Sequence, residues 1–249
     1  MHNKIVSDLI WLGREMGLES RDLVLSSEGS VSAKLDEYRV LVKASSAKLS
    51  TLDSSQIVEV RSANIQMLLE QSFLDSAEFT EGLMECRIDP DSAQPSTEIL
   101  FHNWLLSLEG VQFVAHAHPV AVNQILCSPL AEAFALQRLT PDEIAATGSV
   151  SVFVPYADPG VPLAREIKAR VLLYLRRSFG RSPKVVLLQN HGIITLGATA
   201  EKALQTLLFA DKAARIFLGA ALLGGPIFMQ PHQVQRLEPF SAEPRRGFL

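Results

Sequence analysis

Val111-Gln112-Phe113-Val114-Ala115-His116-Ala117-His118-Pro119 is the stretch on which the reading of this chain turns. Val111 to His116 reads as an apolar strand. Pro119 ends it, because proline cannot donate to a ladder, and a new helix follows to about Leu126. Downstream, the pattern gives a helix over Leu130–Leu139, a strand over Val150–Tyr156 and a helix over Leu163–Arg177. A buried strand over Lys184–Gln189 then leads through Gly192 into a short strand, Ile193–Leu196. An Ala/Leu-rich helix runs from Ala200 to about Leu223. Upstream, Pro95 suits the start of a helix reaching about Ser107, after a loop over 86–96. Further back come a helix over Ile65–Leu74 and strands over Ile57–Val60 and Tyr38–Val42. A strand–turn–strand covers Val24–Ser32. The chain opens with an amphipathic helix carrying Ile5, Leu9 and Leu12 at helical spacing.

Strands alternating with helices indicate an α/β fold with helices packed on a sheet. The early strands follow one another without helices, so the sheet is expected to be antiparallel in part. A chain of 249 residues is long enough for a single large domain. From about residue 225 the prolines at 231, 239 and 244 suggest an extended C-terminal arm.

Composition narrows the function classes. The chain is 47% hydrophobic and 20% charged, which excludes a disordered polymer. Lys and Arg total 23 against 27 Asp and Glu, a net charge of −4, which disfavours a general nucleic-acid binder. Mean hydropathy is +0.17 and no run of about 18 apolar residues occurs, so no membrane span is expected. Cys86 and Cys127 make no disulfide framework, and the N-terminus lacks a signal-peptide pattern. A cytoplasmic location is the expectation.

Residues with chemical potential gather in three places. His116 and His118 are two apart on an extended segment and so point to one side. Both imidazoles can reach a single metal ion, although two half-exposed histidines at a strand end would look the same. Gln189-Asn190-His191-Gly192 ends a buried strand, where His191 either faces a cleft or caps the sheet edge. Pro95-Ser96-Thr97-Glu98 begins a helix, with His102 one turn on. Glu98 is explained equally by helix capping and by proton transfer. Taken together, three neutral imidazoles leave zinc an open position for substrate, and a nearby carboxylate can move a proton on the carbon beside a polarised carbonyl. Ser27, Ser30, Ser45, Ser46, Ser96 and Thr97 lie in turns and suit a phosphate or carboxylate, though small hydroxyl residues are also ordinary turn composition.

Through Pro95-Ser96-Thr97-Glu98, His116-Ala117-His118-Pro119 and Asn190-His191-Gly192 the chain resembles the class II aldolase/adducin family, from about residue 5 to about 220. The resemblance implies a three-layer α/β/α sandwich around a mostly antiparallel sheet. It implies one zinc on His116, His118 and His191, with another divalent metal able to substitute, and Glu98 as acid/base. It also implies a homotetramer with sites at subunit interfaces, acting on a small-molecule substrate through a metal-bound enediolate. The family's phosphate turns, Gly-Asn-X-Ser and Ser-Gly or Thr-Gly, stand here as Gly29-Ser30-Val31-Ser32 and Ser45-Ser46, so an unphosphorylated or carboxylate substrate fits the resemblance too. The proton-donor tyrosine of the fuculose enzymes has no counterpart. Glu98 is shared with aldolases and methylthioribulose-phosphate dehydratases, whereas pentose-phosphate 4-epimerases carry Asp. The implied activity is therefore an aldolase-type lyase. The alternatives are a dehydratase or epimerase on the same metal site, and an adducin-like binding module, which lacks these histidines.

Overall fold

The computed structural model describes residues 2–71 and 76–238. In chain order the elements are α1 (His2–Met16), β1 (Ser30–Lys34), β2 (Arg39–Lys43), β3 (Ile57–Arg61), α2 (Ser62–Glu70), α3 (Ser76–Glu85), α4 (Ile99–Leu106) and β4 (Phe113–Ala117). There follow α5 (Val120–Leu126), α6 (Ala131–Leu136), α7 (Pro141–Thr147), β5 (Val152–Val154), α8 (Val161–Arg177), β6 (Val185–Leu188), β7 (Gly192–Gly197), α9 (Ala200–Leu222) and α10 (Pro231–Leu237). The strands form one sheet in the order β3-β2-β1-β4-β7-β6-β5. Every pairing is antiparallel except that of β5 with β6. The expected fold class is found.

Alternation along the strands divides the helices between two faces. Successive residues of a strand point to opposite sides. In β1, Val31 lies beside Gly13 of α1, while the Ser32 hydroxyl reaches His102 of α4. The first face therefore carries α1 together with α9, which packs on β7 and β4 and gathers α5 and α7 around it. Ala203, Leu207, Ala210, Ala214 and Phe217 give α9 a buried stripe at three- and four-residue spacing. The opposite face carries α4, flanked by α2 and α8. Burying a leucine such as Leu9 or Leu12 of α1 contributes about 1.5–3 kcal/mol, and both are fully enclosed. The chemistry sits on the α4 face, at the end of the two central strands β4 and β7.

Several elements depart from the sequence reading. Val24 and Leu25 form no strand, because the Leu25 N–H is taken by the Glu28 carboxylate at 3.1 Å rather than by a ladder partner. Helices α3 and α7 were not among the expected elements. The second has a legible signal: Thr140 caps it, its Oγ1 accepting from Glu143 N at 3.2 Å, and Pro141 takes the first helical position. The region expected to be an extended arm contains α10, tied back by Met229 N donating to Arg138 O at 2.8 Å. Pro239 and Pro244, and the end of the helix expected over Ile65–Leu74, lie outside the described residues. Glu98 precedes the first turn of α4 as its N-cap residue.

Candidate functional site

Antiparallel register assembles the site. On one side of β4, Ser30 of β1 stands opposite His116. On the other, Ala117 stands opposite Ile193 of β7, which brings His118 beside Gly192 and His191 to the same end of the sheet. The three imidazoles meet there. Ring centroids are 4.7 Å apart for His116 and His118, 5.1 Å for His116 and His191, and 5.3 Å for His118 and His191. One nitrogen from each lies within 4.8 Å of the other two. Glycine is required at 192: a Cβ there would stand 2.5 Å from both Ala117 O and His118 Cδ2, and 3.2 Å from His116 Nε2.

Each of the first two histidines carries a carboxylate on one nitrogen. His116 is fully buried, and its Nδ1 lies 2.9 Å from Glu98 Oε1. His118 Nδ1 lies 3.5 Å from Glu28 Oε2. The Nε2 atoms of both rings are buried and have no partner among the described residues. Buried polar nitrogens are ordinarily satisfied, and carboxylates on the far nitrogens raise the basicity of the near ones. Burial lowers the pKa of His118 and holds His191 down at about 4, with the neighbouring imidazoles adding to the effect. These two rings are thus neutral at pH 7, with lone pairs free. The donor set fits a divalent cation such as zinc.

Glu98 is the hub of a second set of bonds. Burial alone would raise its pKa, but His116, His102 and the Ser30 hydroxyl together hold it well below the usual carboxylate range. Ser30 Oγ donates to Glu98 Oε2. It also lies 2.7 Å from His102 Nε2, while Ser32 Oγ lies 2.6 Å from His102 Nδ1. An ionised carboxylate only accepts. Ser30 therefore accepts from His102 Nε2–H, and Ser32 donates to the bare Nδ1. Ring orientation and tautomer follow from the polarity of the chain of bonds. His102 stands apart from the histidine cluster as the rear support of Glu98.

The turn hydroxyls divide. Ser30 points inward to Glu98 and His102. Ser96 is buried, its Oγ accepting from Glu98 N at 3.4 Å. Ser27, Ser45, Ser46 and Thr97 are exposed. Thr97 lines a cavity of about 100 Å³ with Glu98, Phe101, Pro159, Gly160, Leu163 and His191, a mixed polar and apolar lining. Lys43 and Glu28 are charged residues of this site outside the motifs. Lys43, only 1% exposed, donates from Nζ to Ser27 O at 3.0 Å and to Ala47 O at 2.7 Å, and its carbonyl accepts from Ser96 N. It pins three hydroxyl-bearing turns together. Its one sequence signal is a lysine closing the otherwise apolar run Val40-Leu41-Val42. Glu28 had no signal beyond its place in a turn. Tyr156 is exposed and donates its hydroxyl to Asp158 Oδ1 at 3.1 Å.

Comparisons with known proteins bear on the fold and the family. The longer "Uncharacterized oxidoreductase YuxG" of Bacillus subtilis (strain 168) is 25% identical over 208 residues, which are 84% of this chain and 27% of that protein. The chain thus spans about a quarter of that curated relative. The class II aldolase domain of a conserved Thermoplasma acidophilum protein superposes with a TM-score of 0.68 at 22% identity, covering 86% of this chain and 93% of that one. An L-fuculose 1-phosphate aldolase superposes with a TM-score of 0.69 at 16% identity, covering 95% of each. At those identities the likeness is one of fold. Residues 7–218 match the family described as the Class II Aldolase and Adducin N-terminal domain. With the histidine cluster and the sheet order already in place, that match over most of the sequence means that the chain belongs to the class II aldolase/adducin family.

Proposed function

We propose that the chain is a zinc-dependent lyase of the aldolase type, making or breaking a carbon–carbon bond in a small hydroxylated ketone or sugar phosphate. The observation that carries this reading is the pairing on His116 and His118: a carboxylate at Nδ1 and a bare, buried Nε2, both beside His191. Zinc held by the three rings would supply Lewis-acid polarisation of a substrate carbonyl. Glu98, ionised and held by His116 and Ser30, takes a proton from the carbon beside that carbonyl. The electron pair left on that carbon adds to an aldehyde carbon, the aldehyde π pair moves to its oxygen, that oxygen takes a proton from water, and Glu98 returns its proton to the hydroxide left behind. Cleavage is the reverse. Phe101, Pro159 and Leu163 give the cavity beside Glu98 and His191 an apolar share of its lining. The Lys43 cation and the hydroxyls of Ser27, Ser45, Ser46, Ser96 and Thr97 favour an anionic group, phosphate or carboxylate, at the other end.

The zinc-loaded protein, screened by NMR against sugar phosphates and hydroxy-ketoacids, should release two carbonyl fragments. A single dehydrated product would make it a dehydratase instead. Glu98→Gln should keep its zinc and lose proton exchange at the substrate carbon by about 10²–10⁴-fold; unchanged exchange would remove Glu98 from the mechanism. We also propose one catalytic domain in a homotetramer, located in the cytoplasm, where Cys86 and Cys127 stay free thiols. No helix among the described residues is long and apolar enough to cross a membrane. A light-scattering mass of four chains supports the assembly, and a mass of one contradicts it.

A further inference from the structure

We propose that Asn123 is a positioning residue for the metal centre, setting His191 against the other two histidines; this rests on the metal reading above. Helix α5 begins directly after His118 and Pro119, and its far end reaches the turn that carries His191. Asn123 Nδ2 donates to His191 O at 3.0 Å. One turn further along α5, Leu126 O accepts from Asn190 N at 3.3 Å. Asn190 itself sits at φ 55°, in the left-handed region that asparagine tolerates better than most side chains, so the turn is locally tight and α5 holds it from outside.

The side chain itself shows what it is there for. Asn123 Oδ1 is buried and has no partner among the described residues, which is unfavourable for an amide. Along the same helix Val122, Ile125 and Leu126 are buried and apolar, whereas this position keeps an amide. What the asparagine adds is the one bond to the His191 carbonyl. That bond fixes the peptide plane from which the imidazole extends. One short helix thereby ties the third ligand to the strand end that supplies the first two. Supports of this kind, one step behind a ligand, typically change metal affinity by 10–100-fold.

The test is zinc affinity of the full chain, read by competition with a chromophoric chelator, together with the visible spectrum of the cobalt-loaded protein. Asn123→Leu removes the donor, and Asn123→Asp keeps the size but presents only acceptors to the carbonyl. Both should bind zinc about 10–100-fold more weakly and shift the cobalt spectrum. Val122→Ala, on the same helix, should lower the melting temperature and leave zinc affinity unchanged. Wild-type affinity in both Asn123 variants overturns the inference alone. Equal weakening in Val122→Ala and the Asn123 variants also overturns it, since packing would then be the cause. A wild-type chain that takes up no zinc overturns the metal reading and this inference with it.

Discussion

His102 and His116 are both fully buried, and they belong to one continuous chain of hydrogen bonds, yet they are built for opposite purposes. Both nitrogens of His102 are occupied, by Ser30 and Ser32. Only one nitrogen of His116 is occupied, by Glu98, and the other faces His118 and His191 with nothing bonded to it. Burial therefore does not separate a ligand from a support, and neither does proximity to the acid. The separating feature is whether the second ring nitrogen has been left without a partner at a point where other bare nitrogens converge.

The largest test of that contrast is to remove one histidine of each kind. His116→Ala should take bound zinc from about one per chain to none, by elemental analysis after dialysis. His102→Gln should keep it. Equal zinc content in the two variants would erase the distinction. The next effect is on pH dependence. Burial is the main cause holding His102 down at about 3, with Glu98 pulling the other way and His116 adding to the depression. The unfolded chain takes a proton on this ring below about 6.5, and the folded chain does not until near 3. The folded state therefore loses stability as pH falls through that window, by up to about 1.4 kcal/mol per unit for one such group. Chelator-treated His102→Gln should show a shallower loss of stability than the wild type between pH 6.5 and 5, in urea titrations. The window stops at 5 because the depressed Glu98 carboxyl contributes in the same direction below its ordinary value. Parallel slopes would mean that His102 is not held neutral.

Smaller effects sharpen the same picture. Ser32→Ala leaves His102 Nδ1 without its donor in the core, and should cost about 1–3 kcal/mol of stability with no change in zinc content. Thr140→Ala, far from either histidine, removes the cap of α7 and should cost about 1 kcal/mol. If the Thr140 variant altered zinc affinity as well, the metal site would be coupled to the whole fold rather than to the ends of the central strands.

Glu98, His116, His118 and His191 were legible because each lies in a short motif, and a period of two along a strand places His116 and His118 together without further information. The alternation of strands and helices likewise carried the fold class. Ser30 is different. In the sequence it is one more hydroxyl in a turn that resembles a phosphate loop. Its actual partners, Glu98 and His102, come from the packing of α4 across β1, 68 and 72 residues away. Glu28 likewise meets His118 far along the chain, and although Lys43 reaches only 16 residues back to Ser27 and 4 forward to Ala47, no local pattern marks a buried lysine as the pin of three turns. The missed helix α7 was a matter of local chemistry, since Thr140-Pro141-Asp142-Glu143 is a capping sequence in plain view. Helix α10 lies where three prolines suggest an extended chain, but Pro231 occupies the first helical position, where its missing N–H is harmless.

The central claim is that three imidazoles close on one ion while His102 stays apart. X-ray absorption at the zinc edge, on wild-type protein loaded with one equivalent of zinc, tests it most directly. The account predicts a first shell with three imidazole nitrogens, reduced by one in His191→Ala and unchanged in His102→Gln. A shell with sulfur, with fewer than three imidazoles in the wild type, or with one lost in His102→Gln would contradict it.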